Sequence, residues 1–426
     1  MKKLILLGAI SPFCDLVKEF ETLKIEPYIC DYYPDAPAKS MGHPSFNIST
    51  IDSDNLIALA ERERADGCVS AFSDRNIIPC IEVCNHLKTN CFFDRKTVER
   101  FIDKQKMKAF FEEIGVPVLK YAVVKYNSLD ESLANFSFPV VTKPIDAYGS
   151  KGITVCENLE EVKKAFADTV KESKDYTDKI IVEEYYPADE ISITAWVKSS
   201  NAYITCIYDV FRNKSNGIML SAVSFPSKYT EGYYDRLKEL LNYIIRKSGI
   251  KEGPVTLQCF IGNRGLMVSE LLCRLAGGSP YLYSVYLGGP NIAKMLIQNA
   301  AGEEIDYQNL ESFVPVTENG KIFFDIQVQI CNKGKIYYEF EAEKLFSEFP
   351  ELVDIRVYYK NGAELINVPS GGVNFARLFY KTNRSIDYLN LISRLDKAVR
   401  VNDENGEKLS FIRVPEQSDF NRIFNF

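Results

Sequence analysis

The sequence predicts an α/β protein, α+β overall, which begins with a parallel sheet and continues through antiparallel lobes. Two observations support this fold class. In residues 2–94, apolar strand segments alternate with helical segments, and this alternation is typical of a parallel sheet. Further along the chain, strands follow one another across short turns, which indicates antiparallel pairing. The length of 426 residues suggests two or three domains.

In the first lobe, acidic residues stand at predicted strand ends. Asp31 follows one strand and Asp74 follows another, and the carboxyl ends of parallel strands line ligand clefts. The first turn, residues 8–12, lacks the three glycines of a dinucleotide-binding loop, so we expect this cleft to face the substrate instead. A helix cap or a solvated turn acid explains either aspartate equally well.

The next segment contains two predicted helices. The first covers Asp94 to Phe111 as one long helix and contains Asp103 and Lys104. A second runs from Leu159 to about residue 171 and is capped by Asn158.

Between these helices, residues 138–156 form a hairpin suited to phosphate. A strand presents Lys143, and a flexible loop with two glycines follows before the second strand. The loop consists of Gly149, Ser150, Lys151 and Gly152 after a short lead-in. A fixed cation and a flap of backbone N–H groups can enclose polyphosphate oxygens. The spacing differs from that of a P-loop.

The amino-acid composition argues against two classes of binding partner. The chain has 51 Lys and Arg against 58 Asp and Glu, a net charge of −7, without a basic block. We therefore expect neither nucleic acid nor an anionic membrane as main partner. No segment approaches the roughly 20 apolar residues of a membrane span, and Pro12 interrupts the signal-like start.

The eleven cysteines are odd in number and lie within apolar runs, which favours reduced thiols in a cytoplasmic protein. Cys80 and Cys84 have helical spacing, but a second pair and nearby histidines are missing, so a zinc site is not predicted.

The order of motifs resembles that of the ATP-grasp ligases, within the branch of biotin carboxylase and carbamoyl-phosphate synthetase, and especially the stand-alone carboxylate–amine ligases. The resemblance implies ATP held between two lobes and one or two Mg²⁺ ions. It also implies an acyl-phosphate intermediate that is attacked by an amine or ammonia. A homodimer is a candidate assembly.

The resemblance also assigns nucleotide contacts. Lys104 and Lys143 would bind the α- and β-phosphates beneath the glycine flap, although a solvated helix face is the alternative for Lys104. The adenine and ribose would contact Glu183, Glu184, Tyr185, Tyr186 and Glu190. Arg212 would lie near the phosphates or the substrate carboxylate, and an exposed basic turn is its alternative.

The catalytic end of the pattern lies in residues 253–278. A short turn places Gln258 opposite Glu270, and the resemblance implies that both ligate Mg²⁺. The family has an acid at the first position and an oxygen ligand where this chain has Leu272. Arg274 would neutralise the transferring phosphoryl group or the acyl-phosphate.

These departures leave two interpretations open. Either an active ligase uses a weaker or single-metal site, or the protein binds nucleotide as a regulatory or scaffold module and transfers phosphate poorly. A carboxylase that uses bicarbonate is a further alternative on the same fold.

The resemblance divides the chain into four parts. Residues 1–94 form the Rossmann-like lobe and 95–180 the small ATP-grasp lobe. Residues 181–305 form the large lobe with the metal site, and 306–426 a small closing domain.

Overall fold

The chain begins with a parallel sheet covered by helices. The computed structural model describes residues 1–146, 152–173, 177–213, 219–317, 320–369, 372–383 and 387–412. The first strands are β1 (Lys3–Leu7), β2 (Glu26–Cys30), β3 (Ser45–Phe46) and β4 (Gly67–Ser70), in the order β3-β2-β1-β4. The helices are α1 (Ser11–Leu23), α2 (Ser53–Glu63) and α3 (Ile77–Leu87). Each strand runs parallel to its neighbour, which confirms the predicted Rossmann-like lobe.

Strand β1 explains why this lobe is a covered parallel sheet. Residues 4–7 are apolar without interruption and all are fully buried. A continuous apolar run fits a strand that is packed on both faces, as in a parallel sheet between helices.

The predicted long helix over Asp94–Phe111 is wrong, because the structure has two helices there, α4 (Arg95–Ile102) and α5 (Lys104–Glu113). Asp103 separates them with extended backbone, and its carboxylate accepts a hydrogen bond from the N–H of Lys106 at 3.0 Å. Asp103 is therefore the N-cap of α5, which places Lys104 in the first turn of that helix.

The small lobe is an antiparallel sheet backed by helices. Its strands are β5 (Tyr121–Lys125), β6 (Val140–Lys143), β7 (Thr154–Cys156) and β8 (Lys179–Glu184), in the order β5-β8-β6-β7. Its helices are α6 (Leu129–Ser132) and α7 (Leu159–Lys171). The predicted cap is confirmed, since Asn158 accepts a hydrogen bond from the N–H of Glu161 at 3.0 Å.

The rest of the described chain is built around a large antiparallel sheet. Its strands are β9 (Ala188–Lys198), β10 (Asn201–Asn213), β11 (Met219–Phe225), β12 (Glu252–Gly262), β13 (Gly265–Leu272), β14 (Ile322–Ile330), β16 (Leu352–Val357), β18 (Val373–Thr382) and β19 (Ser410–Ile412). A two-stranded ribbon consists of β15 (Gly334–Lys335) and β17 (Glu364–Leu365). The remaining helices are α8 (Thr230–Ser248), α9 (Tyr281–Tyr286), α10 (Ile292–Ala300), α11 (Ala342–Glu348) and α12 (Tyr388–Ala398).

The strand order β13-β12-β9-β10-β11-β14-β18-β16, with β19 beside β14, shows that one sheet crosses the expected boundary at residue 305. The joint is the pairing of β11 with β14, where Phe225 lies opposite Phe323. The closing segment thus extends the sheet of the large lobe, and the four-part division of the chain stays a proposal.

Hydrophobic packing joins the first lobe to the end of the chain. One cluster contains Leu6 of β1, Trp196 of β9 and Phe375 of β18, all fully buried. A second cluster packs α8 and α5 against the large sheet, and a third lies within the small lobe around Leu129. The small lobe has a core of its own. The first lobe has one between its sheet and helices α2 and α3, and it also shares the first cluster with the closing segment.

Candidate active site

A buried carboxylate lies between two lysines at the base of the small lobe. Glu183 on β8 contacts the Lys143 Nζ at 2.7 Å and the Lys108 Nζ at 2.9 Å. Its side chain is 2% exposed. Burial alone would raise the pKa of Glu183, but Lys143 and Lys108 outweigh it and lower that pKa to about 2. Glu183 is therefore ionised at neutral pH, with one carboxylate oxygen on each lysine.

Lys108 was missed by the sequence interpretation, although its spacing contained a signal. It lies one turn after Lys104 in α5, and residues four apart share a helix face. Its side chain is as buried as that of Glu183, which is rare for lysine unless it is paired. The pairing of Glu183 with Lys108 and Lys143 differs from its expected contact with the adenine amino group.

Helix α5 connects the hairpin to strand β13. The N–H of Lys104 donates to the carbonyl of Ile145, just after β6, at 3.2 Å. The N–H of Leu271 on β13 contacts the Met107 Sδ at 3.3 Å. The Lys104 Nζ lies 3.7 Å from Glu270, and its side chain is 11% exposed, so the alternative of a solvated helix face is wrong.

Strands β12 and β13 place Gln258 directly opposite Glu270, as the turn length predicts. The register of the two strands shifts after Gln258. Leu272 lies two residues after Glu270 on β13 and pairs with Thr256 on β12. The Leu272 side chain is buried and apolar, and it contributes no oxygen. The oxygen donors at this point are thus one carboxylate and one amide.

These donors fit a magnesium ion that also takes ligands from a nucleotide. Mg²⁺ is commonly bound through one or two protein oxygens together with phosphates and water. Within the described part of the chain, no cluster of three or more His, Cys, Asp or Glu side chains could hold a metal ion by itself. Glu270 and Gln258 are therefore the residues that would hold Mg²⁺, with the nucleotide completing the coordination.

Glu190 and Arg212 form a paired fork across β9 and β10. Arg212 donates from its Nε and Nη2 to the two carboxylate oxygens of Glu190, both at 2.5 Å. Burial alone would lower the pKa of Arg212, but Glu190 and then Glu270 raise it. Arg212 lies on a strand and is paired, so its alternative as an exposed basic turn is wrong. The carboxylate that was expected to bind ribose is engaged by this arginine.

The segment after β8 joins the small lobe to the large antiparallel sheet. Glu184 forms an ion pair with Arg264 at 3.0 Å, and the Tyr186 hydroxyl donates to the carbonyl of Gly265 at 2.9 Å. The N–H of Tyr185 donates to the carbonyl of Pro139 at 3.2 Å. The segment expected to contact adenine therefore connects the start of β6 with the β12–β13 turn.

Arg274 binds the first lobe. It donates from Nε and Nη2 to the two oxygens of Asp74, both at 2.8 Å, and from Nη1 to the carbonyl of Leu275 at 2.9 Å. Burial alone would lower the pKa of Arg274, but Asp74 and then Glu270 raise it. Asp74 is therefore neither a cap nor a solvated turn acid. Asp31 does have a local role, since it accepts from the N–H groups of Ala9 and Tyr33 at 2.8 and 2.9 Å.

Part of the glycine flap lies outside the described residues, namely Gly149, Ser150 and Lys151. Gly152 is described and has φ of +66°, a conformation that favours glycine. A Cβ at this position would lie 2.9 Å from the ring of Pro144. The second glycine of the loop is therefore required by both its backbone angle and its surroundings.

Glu270 is the acid shared by these cations. It lies within 3.7 Å of Lys104, and its charge also raises the pKa of Lys143, Arg212 and Arg274. Four cations from four segments of the chain, namely α5, β6, β10 and the residues after β13, thus interact electrostatically with one carboxylate beside Gln258. Such an arrangement can bind a polyphosphate and its metal ion.

Part of the chain matches a known family of domains. The family model of the ATP-grasp domain matches residues 136–279. The formate-dependent phosphoribosylglycinamide formyltransferase of Wolinella succinogenes is 26% identical over 190 residues, which cover 44% of this chain and 48% of that protein. The enzyme of the same name from Saccharolobus solfataricus is 21% identical over 281 residues, which cover 64% and 70%. Residues 136–279 therefore match the ATP-grasp domain, in agreement with the resemblance.

The fold agrees with solved structures. The biotin carboxylase domain of 2-oxoglutarate carboxylase from Hydrogenobacter thermophilus superimposes with a TM-score of 0.75 at 17% identity, over 93% of this chain and 89% of that domain. The predicted fold class is thereby confirmed. With most of its curated relatives, however, the chain matches about half of their length. Among the described residues no helix is long and apolar enough to span a membrane.

Proposed function

We propose that this protein is an ATP-dependent ligase that activates a small carboxylate as an acyl-phosphate and joins it to an amine or ammonia. The observation that carries the proposal is the placement of Glu270 opposite Gln258 and 3.7 Å from the Lys104 Nζ, where its charge also raises the pKa of Lys143, Arg212 and Arg274. The names of the curated relatives support it, because they specify formate, a carboxylate, in a formyl transfer.

In the first step, a carboxylate oxygen of the substrate attacks the γ-phosphorus of ATP, and the bond to ADP breaks. Lys104 and Lys143 bind the phosphates, and Glu183 fixes the position of Lys143 through a buried ion pair. Arg274 stabilises the negative charge that develops on the phosphoryl group. Asp74 orients the Arg274 guanidinium by accepting two hydrogen bonds from it. When bound by Glu270, Gln258 and the nucleotide, Mg²⁺ would supply Lewis-acid polarisation of the phosphate oxygens.

In the second step, the amine attacks the acyl carbon, phosphate leaves, and the amine loses a proton. Exclusion of water protects the acyl-phosphate from hydrolysis during this step. The loop of residues 277–280 follows Arg274, and Gly278 approaches Arg377 of the closing segment closely. We infer that the carboxylate and the amine bind beneath this loop. A cytoplasmic location and a homodimer are further parts of the proposal.

A coupled ADP-release assay tests the reaction. Purified protein with ATP and Mg²⁺ would be given a matrix of small carboxylates, including formate, against amino acids, other amines and ammonia. We expect ADP release that requires one carboxylate and one amine together, and its loss in Lys143→Met. A flat response from protein that holds intact ATP would overturn the ligase proposal.

The second candidate, a nucleotide-binding module with poor phosphoryl transfer, is favoured by Gln258 and Leu272. A site with one carboxylate has one negative charge fewer than the family pattern and binds Mg²⁺ less tightly. This candidate predicts ATP binding without turnover. Bicarbonate-dependent ADP release that needs no amine would instead favour the carboxylase alternative.

A further inference from the structure

Helix α3 carries two cysteines that the proposed nucleotide site does not use. Cys80 and Cys84 are one helical turn apart and buried. Their sulfurs lie 3.4 and 3.7 Å from the same oxygen, the carbonyl of Cys68 on β4. The helix thus presents two neighbouring thiols to one point on the first sheet.

A reversal of the chain after α3 brings a third cysteine to this pair. Lys88 has φ of +57°, and the N–H of Thr89 donates to the carbonyl of Cys84 at 2.9 Å. Cys91 follows two residues later, and its sulfur accepts hydrogen bonds from the thiols of Cys80 and Cys84. Cys91 is exposed as a residue, whereas the other two are buried. Solvent therefore reaches this thiol cluster, Cys80, Cys84 and Cys91, at Cys91.

The surroundings of Cys91 favour its thiolate form. Hydrogen bonds from Cys80 and then Cys84 lower the pKa of Cys91, and burial opposes them. The N–H groups of Phe93 and Phe92 lower this pKa further. The thiolate is the form of cysteine that attacks a peroxide, so Cys91 is the reactive member of the cluster.

The space around Cys91 admits a small oxidant. Cys80 and Cys91 line one cavity of about 40 Å³, which exceeds the roughly 10–15 Å³ that a water molecule needs. Cys91 also lines an open cleft of about 410 Å³. The next residue, Phe92, packs edge-on against Trp196 with ring centroids 5.0 Å apart, which fixes the position of this segment. Hydrogen peroxide, with two oxygen atoms, is small enough to enter the cavity from the cleft.

We propose that Cys91 is a site of reversible oxidation by hydrogen peroxide and that Cys80 converts the product to a disulfide. Cys80 has this role because it shares the cavity with Cys91. The site does not depend on the proposed ligase activity.

The oxidation proceeds in two steps. In the first, the Cys91 thiolate attacks one peroxide oxygen, the O–O bond breaks, and the leaving hydroxide takes up a proton to become water. Cys91 is then a sulfenic acid. In the second, the Cys80 sulfur attacks the sulfenic sulfur, the S–O bond breaks, and the hydroxyl group leaves as water with the Cys80 proton. The two thiols lose two electrons in total, and one peroxide becomes two water molecules.

Peptide mapping of the wild-type protein tests the disulfide. The reduced protein would be treated with a few equivalents of hydrogen peroxide, alkylated, and digested with trypsin without reductant. Trypsin separates residues 76–88, with Cys80 and Cys84, from residues 89–95, with Cys91. We expect these two peptides to be linked, with fragmentation placing the bond between Cys80 and Cys91, and dithiothreitol to release them.

Two variants assign the partner. In Cys80→Ala, we expect the link to be lost and dimedone to trap Cys91 as a sulfenic acid. The matched control is Cys84→Ala, which removes the other buried thiol of α3 and should still form the link. A bond between Cys84 and Cys91 in the wild type would overturn the role of Cys80.

The reactivity of Cys91 is measured separately with iodoacetamide at pH 6. Cys331 is also exposed and serves as the internal reference. We expect Cys91 to be alkylated about tenfold faster or more, because its thiolate is stabilised by the cluster. Equal rates at Cys91 and Cys331, or no linked peptides after peroxide treatment of the wild type, would overturn the inference.

Discussion

At the scale of single residues, Glu183 shows how charge is stabilised inside the small lobe. In Glu183→Gln, two buried lysines lose their shared carboxylate, and we expect a loss of about 3–5 kcal/mol in the free energy of unfolding, measured with urea. Glu184→Gln is the control on the next residue. Its partially exposed pair with Arg264 should cost about 1 kcal/mol or less. Equal losses in the two variants would contradict the central role of the Glu183 cluster.

The lowered pKa of Glu183 also predicts that the free energy of unfolding depends on pH. Its pKa falls from 4.5 to about 2 on folding, so the folded state binds fewer protons between these values. The stabilisation, about 3 kcal/mol, is therefore complete above pH 4.5 and is lost as pH falls towards 2. The difference in unfolding free energy between wild type and Glu183→Gln should be constant from pH 7 to 5 and shrink below that range. A difference that grows in acid would refute this assignment.

Replacement of Gln258 by glutamate tests the metal site, because it exchanges the amide nitrogen for a second carboxylate oxygen. Gln258→Glu restores a second carboxylate opposite Glu270, so we expect tighter Mg²⁺ binding and ADP release that rises by about tenfold. The measurement is the dependence of ADP release on Mg²⁺ concentration. Gln258→Met, which removes the amide oxygen without adding a charge, is the control and should give no such gain. A fall in activity in Gln258→Glu would show that the amide is the functional ligand.

At the scale of elements, the start of α5 couples stability to nucleotide binding. Asp103→Ala removes the cap from the Lys106 N–H and should cost about 1 kcal/mol. Because Lys104 follows the cap directly, ATP affinity should also fall, by roughly threefold or more, in equilibrium titration. Asn158→Ala removes the equivalent cap of α7 and should cost a similar free energy without changing ATP affinity. Equal ATP affinity in both variants would separate the cap from the phosphate site.

How far these elements could be predicted depends on the distance along the chain between the interacting groups. The pairing of Gln258 with Glu270 follows from a short turn between two apolar strands, because the turn fixes the register. The break at Asp103 was missed, since helical periodicity continues on both sides of a residue that also suits a helix surface. The cap depends on one backbone conformation that periodicity does not specify.

The ion pairs were the least predictable part of the site. Glu183 meets Lys108 through the packing of β8 on α5, and Arg274 meets Asp74 from 200 residues away in the sequence. The sequence analysis selected each candidate residue from the pattern of its near neighbours in the chain. Such a local pattern contains no information on partners in another helix or strand. The sequence patterns therefore singled out candidate site residues without indicating which of them neutralise one another.

At the scale of the whole molecule, the first lobe and the closing segment should unfold together. They share one hydrophobic cluster that contains Leu6, Phe375 and the single tryptophan, Trp196. Hydrogen bonds also join them, such as that from the Ser11 hydroxyl to the carbonyl of Asn374 at 2.7 Å. Leu6→Ala should cost about 2–5 kcal/mol and shift the midpoints of Trp196 fluorescence and far-UV circular dichroism equally.

The control for this cooperativity is Leu129→Ala in the separate core of the small lobe. It removes the same number of atoms from an equally buried site, so its cost should be similar. Because that core does not contain Trp196, the change should affect the circular dichroism transition while leaving the tryptophan midpoint nearly unchanged. If Leu6→Ala instead splits the two probes, the first lobe unfolds by itself, and the shared core does not couple it to the closing segment.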